Sequence, residues 1–188
     1  PVFEALTQKG WDLGGSGSDL RTPSCCLGMS RCEFACIDTM EITNECTHYY
    51  QDEMHRPAFP YKFKIKVSGC PNDCVASIAR SDMSIIGTWR DDIRIDQDQV
   101  KAYVDGGMDI VEDVAMHCPT KCVSFKDGKI EIDNDNCVHC MHCINVLPKA
   151  LRIGTDTGAV ILLGAKAPIV EGAMMASVIV PFLKMEEP

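Results

Sequence analysis

The sequence predicts an α+β fold built around two unlike cysteine-rich units, and three features carry that prediction. Residues 61–68 alternate strictly between apolar and polar side chains, the period of a half-buried strand, and lead straight into Gly69-Cys70-Pro71-Asn72-Asp73-Cys74. Val123-Ser124-Phe125 and Lys129-Ile130-Glu131-Ile132 flank Asp127-Gly128, which is the signature of a tight hairpin. Residues 37–54 carry apolar and acidic side chains at helical spacing and end before Pro57 and Pro60.

The remaining elements follow in order. The stretch through about Arg21, with Gly14-Gly15-Ser16-Gly17-Ser18, reads as loop. The 70–74 turn is expected to open a helix through Arg80, with Pro71 at a first helical position. Residues 84–89 read as a short strand, and Gly106-Gly107 as a boundary. Beyond it come the hairpin within 122–133, a closing strand over 148–153, a strand over 159–163 and a helix over 171–180. The expected domains are therefore 1–106, 107–155 and 156–188, the last returning to the first.

Composition narrows the function. The chain has 188 residues, 46% hydrophobic and 24% charged, with a net charge of −9 and twelve cysteines. That is enough for one ordinary domain or two small ones. The acidity argues against a nucleic-acid partner. The longest apolar runs, 159–163 and 173–183, are too short or too interrupted for membrane insertion, which takes roughly 20 residues. No basic-then-apolar signal opens the chain, so a cytoplasmic location is expected, with cysteines serving metal or redox chemistry rather than a disulfide framework. The start at Pro1 reads as a cut from something longer.

The second cysteine unit, Cys137-Val138-His139-Cys140-Met141-His142-Cys143, has ferredoxin spacing. A ferredoxin run would continue to a fourth cysteine followed by proline, but Leu147 holds that slot before Pro148. Cys118-Pro119, across the hairpin, supplies the missing Cys-Pro pair; Cys122 competes but precedes no proline. Cys118, Cys137, Cys140 and Cys143 are thus the expected ligands of one cubane cluster. Zinc is the alternative, kept open by His139 and His142.

The first unit pairs Cys26-x5-Cys32 with Cys70-x3-Cys74. Two such pairs suit a second cubane, although Cys25 and Cys36 compete and buried structural thiols are the plain alternative. Lys62, Lys64 and Lys66 share one face of the strand between the pairs. Such a lysine row can simply guard a sheet edge. Here it runs into a cysteine turn, with Arg21, Arg31 and Arg80 flanking, and like charges in a row favour an anion facing them.

The C-x5-C and C-x3-C pairing resembles the signature of sulfite and nitrite reductases that couple a [4Fe–4S] cluster to sirohaem. The strings Thr22-Pro23-Ser24-Cys25-Cys26-Leu27-Gly28, Lys64-Ile65-Lys66-Val67-Ser68-Gly69-Cys70-Pro71-Asn72-Asp73-Cys74 and Ile85-Ile86-Gly87-Thr88-Trp89-Arg90-Asp91-Asp92 resemble the alpha subunits of the dissimilatory sulfite reductases. The likeness extends over nearly the whole chain. It implies a fragment of a sirohaem-type sulfite/nitrite reductase domain, with an inserted ferredoxin-like 4Fe–4S domain.

The resemblance also implies roles. Cys26, Cys32, Cys70 and Cys74 would hold the cluster beside sirohaem, with Cys74 bridging to the haem iron. Arg21, Lys62, Lys64, Lys66 and Arg80 would meet sirohaem carboxylates and sulfite oxygens, and Lys64 and Lys66 would donate protons. Cys118, Cys137, Cys140 and Cys143 would hold the cluster that takes in electrons. The expected cofactors are sirohaem and two [4Fe–4S] clusters. The expected partners are a homologous beta subunit in a two-alpha, two-beta assembly, and a small sulfur-carrier or electron-donor protein. The expected reaction is six-electron reduction of sulfite toward sulfide in sulfur respiration. A non-catalytic iron–sulfur carrier, an assimilatory sulfite or nitrite reductase and a zinc module are the rivals. Cys25, Cys36, Cys46 and Cys122 read as packed thiols.

Overall fold

The computed structural model describes residues 1–11, 19–54, 62–166 and 171–185. In chain order the elements are α1 (Val2–Thr7), β1 (Ser24–Cys25), α2 (Thr39–Tyr49), β2 (Ile65–Ser68), α3 (Ser77–Arg80), β3 (Met83–Trp89), β4 (Arg94–Ile95) and α4 (Gln97–Asp105). They continue with β5 (Val123–Lys126), β6 (Lys129–Ile132), α5 (His142–Val146), β7 (Leu151–Arg152), β8 (Thr157–Leu163) and β9 (Ser177–Leu183).

Among the described residues the main sheet has the order β1-β2-β3-β8-β9. β1, β2 and β3 run parallel, so each connection must cross over, through α2 and then α3. β8 and β9 pair antiparallel to complete the sheet. Trp89 pairs with Thr157, so everything between them leaves and re-enters the sheet at facing residues. That intervening segment carries the second cysteine unit, the β5–β6 hairpin and the small β4–β7 pair.

Local chemistry explains the elements. Asp38 caps α2, accepting from the Met40 and Glu41 N–H groups at 3.0 Å each. Asp96 caps α4 in the same way, through Asp98 and Gln99 at 3.1 Å each. Asp127 and Gly128 both have positive φ, as a two-residue turn matching the twist of β5 and β6 requires. One buried core runs from Cys36, Val67 and Trp89 through Val100 and Ile130 to Ile144 and Leu151, so both cysteine units share it. Arg152 of β7 adds an ion pair to Glu33 at 2.8 Å.

Several expected elements differ. The tail segment expected as a helix over 171–180 is instead the edge strand β9, paired with β8. Its Val178-Ile179-Val180 run is β-branched, and Pro181 is tolerated because an edge strand has one unpaired side. The N-terminal stretch expected as loop begins with α1, while its 14–18 portion lies outside the described residues. The lysine strand is regular only over β2, and Phe63 adds an isolated bridge to Leu20. Tyr61, Pro57 and Pro60 lie outside the described residues. The closing strand shrinks to β7, and α4 forms where no element was expected. Residues 70–76 are not helical: Asp73 and Ala76 have positive φ and only α3 is a helix. Among the described residues no helix is long and apolar enough to cross a membrane.

Candidate functional site

The first cysteine unit is assembled across the parallel strands. Cys26 follows β1, and its N–H donates to the Val67 carbonyl of β2 at 3.1 Å. Gly69, just past β2, donates its N–H to the Cys26 sulfur at 3.1 Å, and its carbonyl accepts from Cys36 at 2.7 Å. A tight turn over Gly28–Ser30 brings the chain to Cys32.

Asp73 shapes the 70–76 turn in place of helical bonding. Its carboxylate accepts from the Ser68 hydroxyl at 2.5 Å, the Ser77 N–H at 2.9 Å and hydroxyl at 2.6 Å, and the Ile78 N–H at 3.0 Å. Burial opposes its charge, but these donors more than offset that, holding the carboxyl below its usual range.

Cys26, Cys32 and Cys74 lie in the surroundings of Cys70. Burial pushes the Cys70 thiol up, the Asn72 backbone N–H opposes by donating to its sulfur, and the nearby Cys32, Cys74 and Cys26 sulfurs push it further up. Cys70 is buried and Cys74 is exposed. A fifth thiol, Cys36, sits behind them, pushed up to about 12 by burial and then by Cys70 and Cys32.

The second unit closes around a pocket lined by Cys118, Cys122, Cys137, Cys140 and Cys143, with Trp89 and His139 in its wall. Positive φ at His139 and Met141 curls the 137–143 loop around that pocket, and α5 then carries Cys143 inward. Burial pushes the Cys143 thiol up to about 12, with the Cys137, Cys140 and Cys118 sulfurs adding and the Ile144 N–H opposing. Burial likewise raises Cys137, against the His139 N–H that donates to it. Cys122 approaches the Cys118 sulfur to 3.4 Å. Each foursome thus has a fifth thiol behind it and one exposed member, Cys74 or Cys140.

This donor chemistry fits clusters. Cys70, Cys137 and Cys143, whose burial raises them, resist ionising alone, and iron would supply the compensating charge. Among the described residues no group of three His, Cys, Asp or Glu side chains is arranged to hold a single metal ion. His139 stacks on Trp89 instead, with ring centroids 4.2 Å apart, and His142 meets the Asp113 carbonyl at 3.2 Å.

The expected cations are placed unevenly. Lys62, Lys64 and Arg80 are exposed. The Lys66 ammonium donates to the Val75 carbonyl at 2.8 Å, bracing the cysteine turn. Arg21 pairs through Nε with the buried Asp19 at 3.0 Å. Sequence reasoning missed Asp73, Asn72 and Trp89, although the first two stand inside the Cys70–Cys74 spacer.

A mixed sheet flanked by two cysteine-rich units is the frame of an iron–sulfur domain. The chain belongs to the nitrite and sulphite reductase 4Fe–4S domain family, which matches residues 16–187. It is 56% identical to the alpha subunit of the dissimilatory-type sulfite reductase of Nitratidesulfovibrio vulgaris, over 99% of this chain and 46% of that subunit. The corresponding subunit of Allochromatium vinosum is 46% identical, over 98% of this chain and 45% of its own length. A crystal structure of dissimilatory sulfite reductase I superimposes with a TM-score of 0.88 at 55% identity, covering 99% of this chain and 46% of that one. The chain therefore spans about half the length of these relatives, and its family fold is that of an iron–sulfur protein.

Proposed function

We propose that this chain forms the cluster-bearing part of an alpha-type subunit of a dissimilatory sulfite reductase. The observation that supports the reading is the closing of the 137–143 cysteine loop on a pocket that Cys118 also lines, beside a turn whose Cys70 lies among Cys32, Cys74 and Cys26. The names of the relatives support the substrate, and their designation as subunits supports a hetero-oligomer with a homologous beta subunit. A small sulfur-carrier or electron-donor protein is the further expected partner, in the cytoplasm.

In this reading Cys26, Cys32, Cys70 and Cys74 hold one [4Fe–4S] cluster, and Cys118, Cys137, Cys140 and Cys143 hold the other. When bound, the clusters and sirohaem supply stored electrons and an iron that takes sulfite. Cys74 suits the bridging position because it is the exposed sulfur of its set. The segment between Trp89 and Thr157 is the electron-intake unit, inserted at one end of the β3–β8 ladder.

The residues of the chain provide charge, protons and shielding. Bisulfite takes up six electrons and six protons to give hydrosulfide and three waters. Lys62, Lys64 and Arg80 carry the positive charge that draws such an anion and sirohaem carboxylates, and Arg21 contributes at the margin. Lys64 is the stronger candidate for direct proton donation, since Lys66 spends one donor on Val75. Burial of Cys70 and Cys143 keeps water from their sulfurs.

Iron and acid-labile sulfide per chain, with the optical spectrum, test the reading. Two cubanes give eight irons and eight sulfides, and zinc gives neither. Reduced-dye oxidation by sulfite in the cluster- and haem-loaded full chain then separates a reductase from a carrier.

A further inference from the structure

The two cysteine loops touch each other directly. Asn72 Nδ2 donates to Asn145 Oδ1 at 3.2 Å, and Asn145 Nδ2 donates back to Asn72 Oδ1 at 2.8 Å. This closes a ring of two amide hydrogen bonds between segments far apart in sequence. Asn72 lies inside the Cys70–Cys74 spacer. Asn145 lies two residues past Cys143, on the same helix α5. The pair therefore ties the turn that carries Cys70 and Cys74 directly to the helix that carries Cys143.

The same joint has a second point of contact. Trp89, 1% exposed, stacks on His139 at an interplanar angle of 22°. It ends β3, whose first four residues, Met83 to Ile86, pair with β2, the strand that delivers Cys70.

We propose that the reciprocal Asn72–Asn145 pair is a clamp that fixes the separation and tilt of the two clusters, and thereby sets the rate of electron passage between them. The proposal rests on the two-cluster reading above. An amide at the protein surface is served equally well by water, so this pair adds little to stability. Its worth is geometric: two parallel bonds fix distance and orientation, whereas one would leave a pivot. Each passage moves a single electron, oxidising the second cluster and reducing the first, with no bond made or broken. Asn72 and Asn145 are positioning residues and touch no reacting atom.

The test compares Asn72→Ala, Asn145→Ala and the double variant in the cluster-loaded full chain. Iron content should stay at the wild-type level. The magnetic interaction between the two reduced clusters should weaken, and intramolecular electron equilibration after flash reduction should slow about tenfold in each single variant. The double variant should be no slower than either single, because the pair acts as a unit. Asn145 is exposed, so Asn145→Ser gives a second measurement should Asn72→Ala lose iron. Two clusters in the wild type with unchanged interaction and rate in the variants overturn the clamp alone. One cluster in the wild type overturns the two-cluster reading and the clamp with it.

Discussion

Gly87 of β3 lies directly against the backbone of Gly69, the residue before Cys70. A β-carbon at Gly87 would overlap the Gly69 carbonyl oxygen and stand 2.7 Å from its carbon and 3.1 Å from the Cys36 β-carbon. The strand that walls the second site is thus packed backbone to backbone on the turn that opens the first.

Gly87→Ala should therefore destabilise the chain by about 1–3 kcal/mol or more, as overpacking against rigid backbone does. The denaturation midpoint measures it. A midpoint equal to wild type would mean that β3 and the cysteine turn separate easily.

The two fifth thiols give a sharper test of the ligand sets. Cys143→Ser and Cys118→Ser should each remove the iron of the second site and leave that of the first. Cys122→Ser should keep both, although its sulfur stands 3.4 Å from that of Cys118. Iron loss in Cys122→Ser with retention in Cys118→Ser would exchange the two assignments.

Lys64 and Lys66 should separate by phenotype. Lys64→Ala should lower sulfite turnover by about 100-fold at unchanged stability, the scale of a lost proton donor. Lys66→Ala removes the bond to Val75 and should also cost about 1 kcal/mol of stability. Turnover and thermal melting of both variants, with iron content held as a control, distinguish the roles.

Acid stability should depend on Asp91. Thr155 donates its hydroxyl at 2.7 Å and its N–H at 2.8 Å, and Asp156 its N–H at 3.0 Å, holding Asp91 at about 2 against an ordinary 3.8. A depressed folded-state pKa means this stabilisation is complete above about pH 4 and is lost as pH falls toward 2. Asp91→Asn should flatten that part of the unfolding curve. An unaltered acid limb in the variant would remove Asp91 from the account.

Legibility in the sequence followed the range of the interactions. The β5–β6 hairpin was readable because its turn needs positive φ at two adjacent residues, and Asp-Gly supplies that locally. Spacing marked both cysteine-rich units, and the 137–143 loop does close on a pocket that Cys118 and Cys122 also line. β9 was misread because Met174, Met175 and Ala176 favour helix, while pairing with β8 decides the outcome. α4 offered a signal in Asp96 three residues before Gln99, but its apolar face is narrow. Asn72, Asn145 and the Trp89–His139 stack depend on contacts across the whole fold, which no local pattern encodes.

The Trp89–Thr157 pairing bears on how the molecule is made. β8 leaves the ribosome only after the entire intervening segment, so the central sheet stays open while the second cysteine unit already has its hairpin and loop. Local contacts form before distant strands meet. The β3–β8 ladder is therefore a late step of folding, formed after the hairpin it brackets.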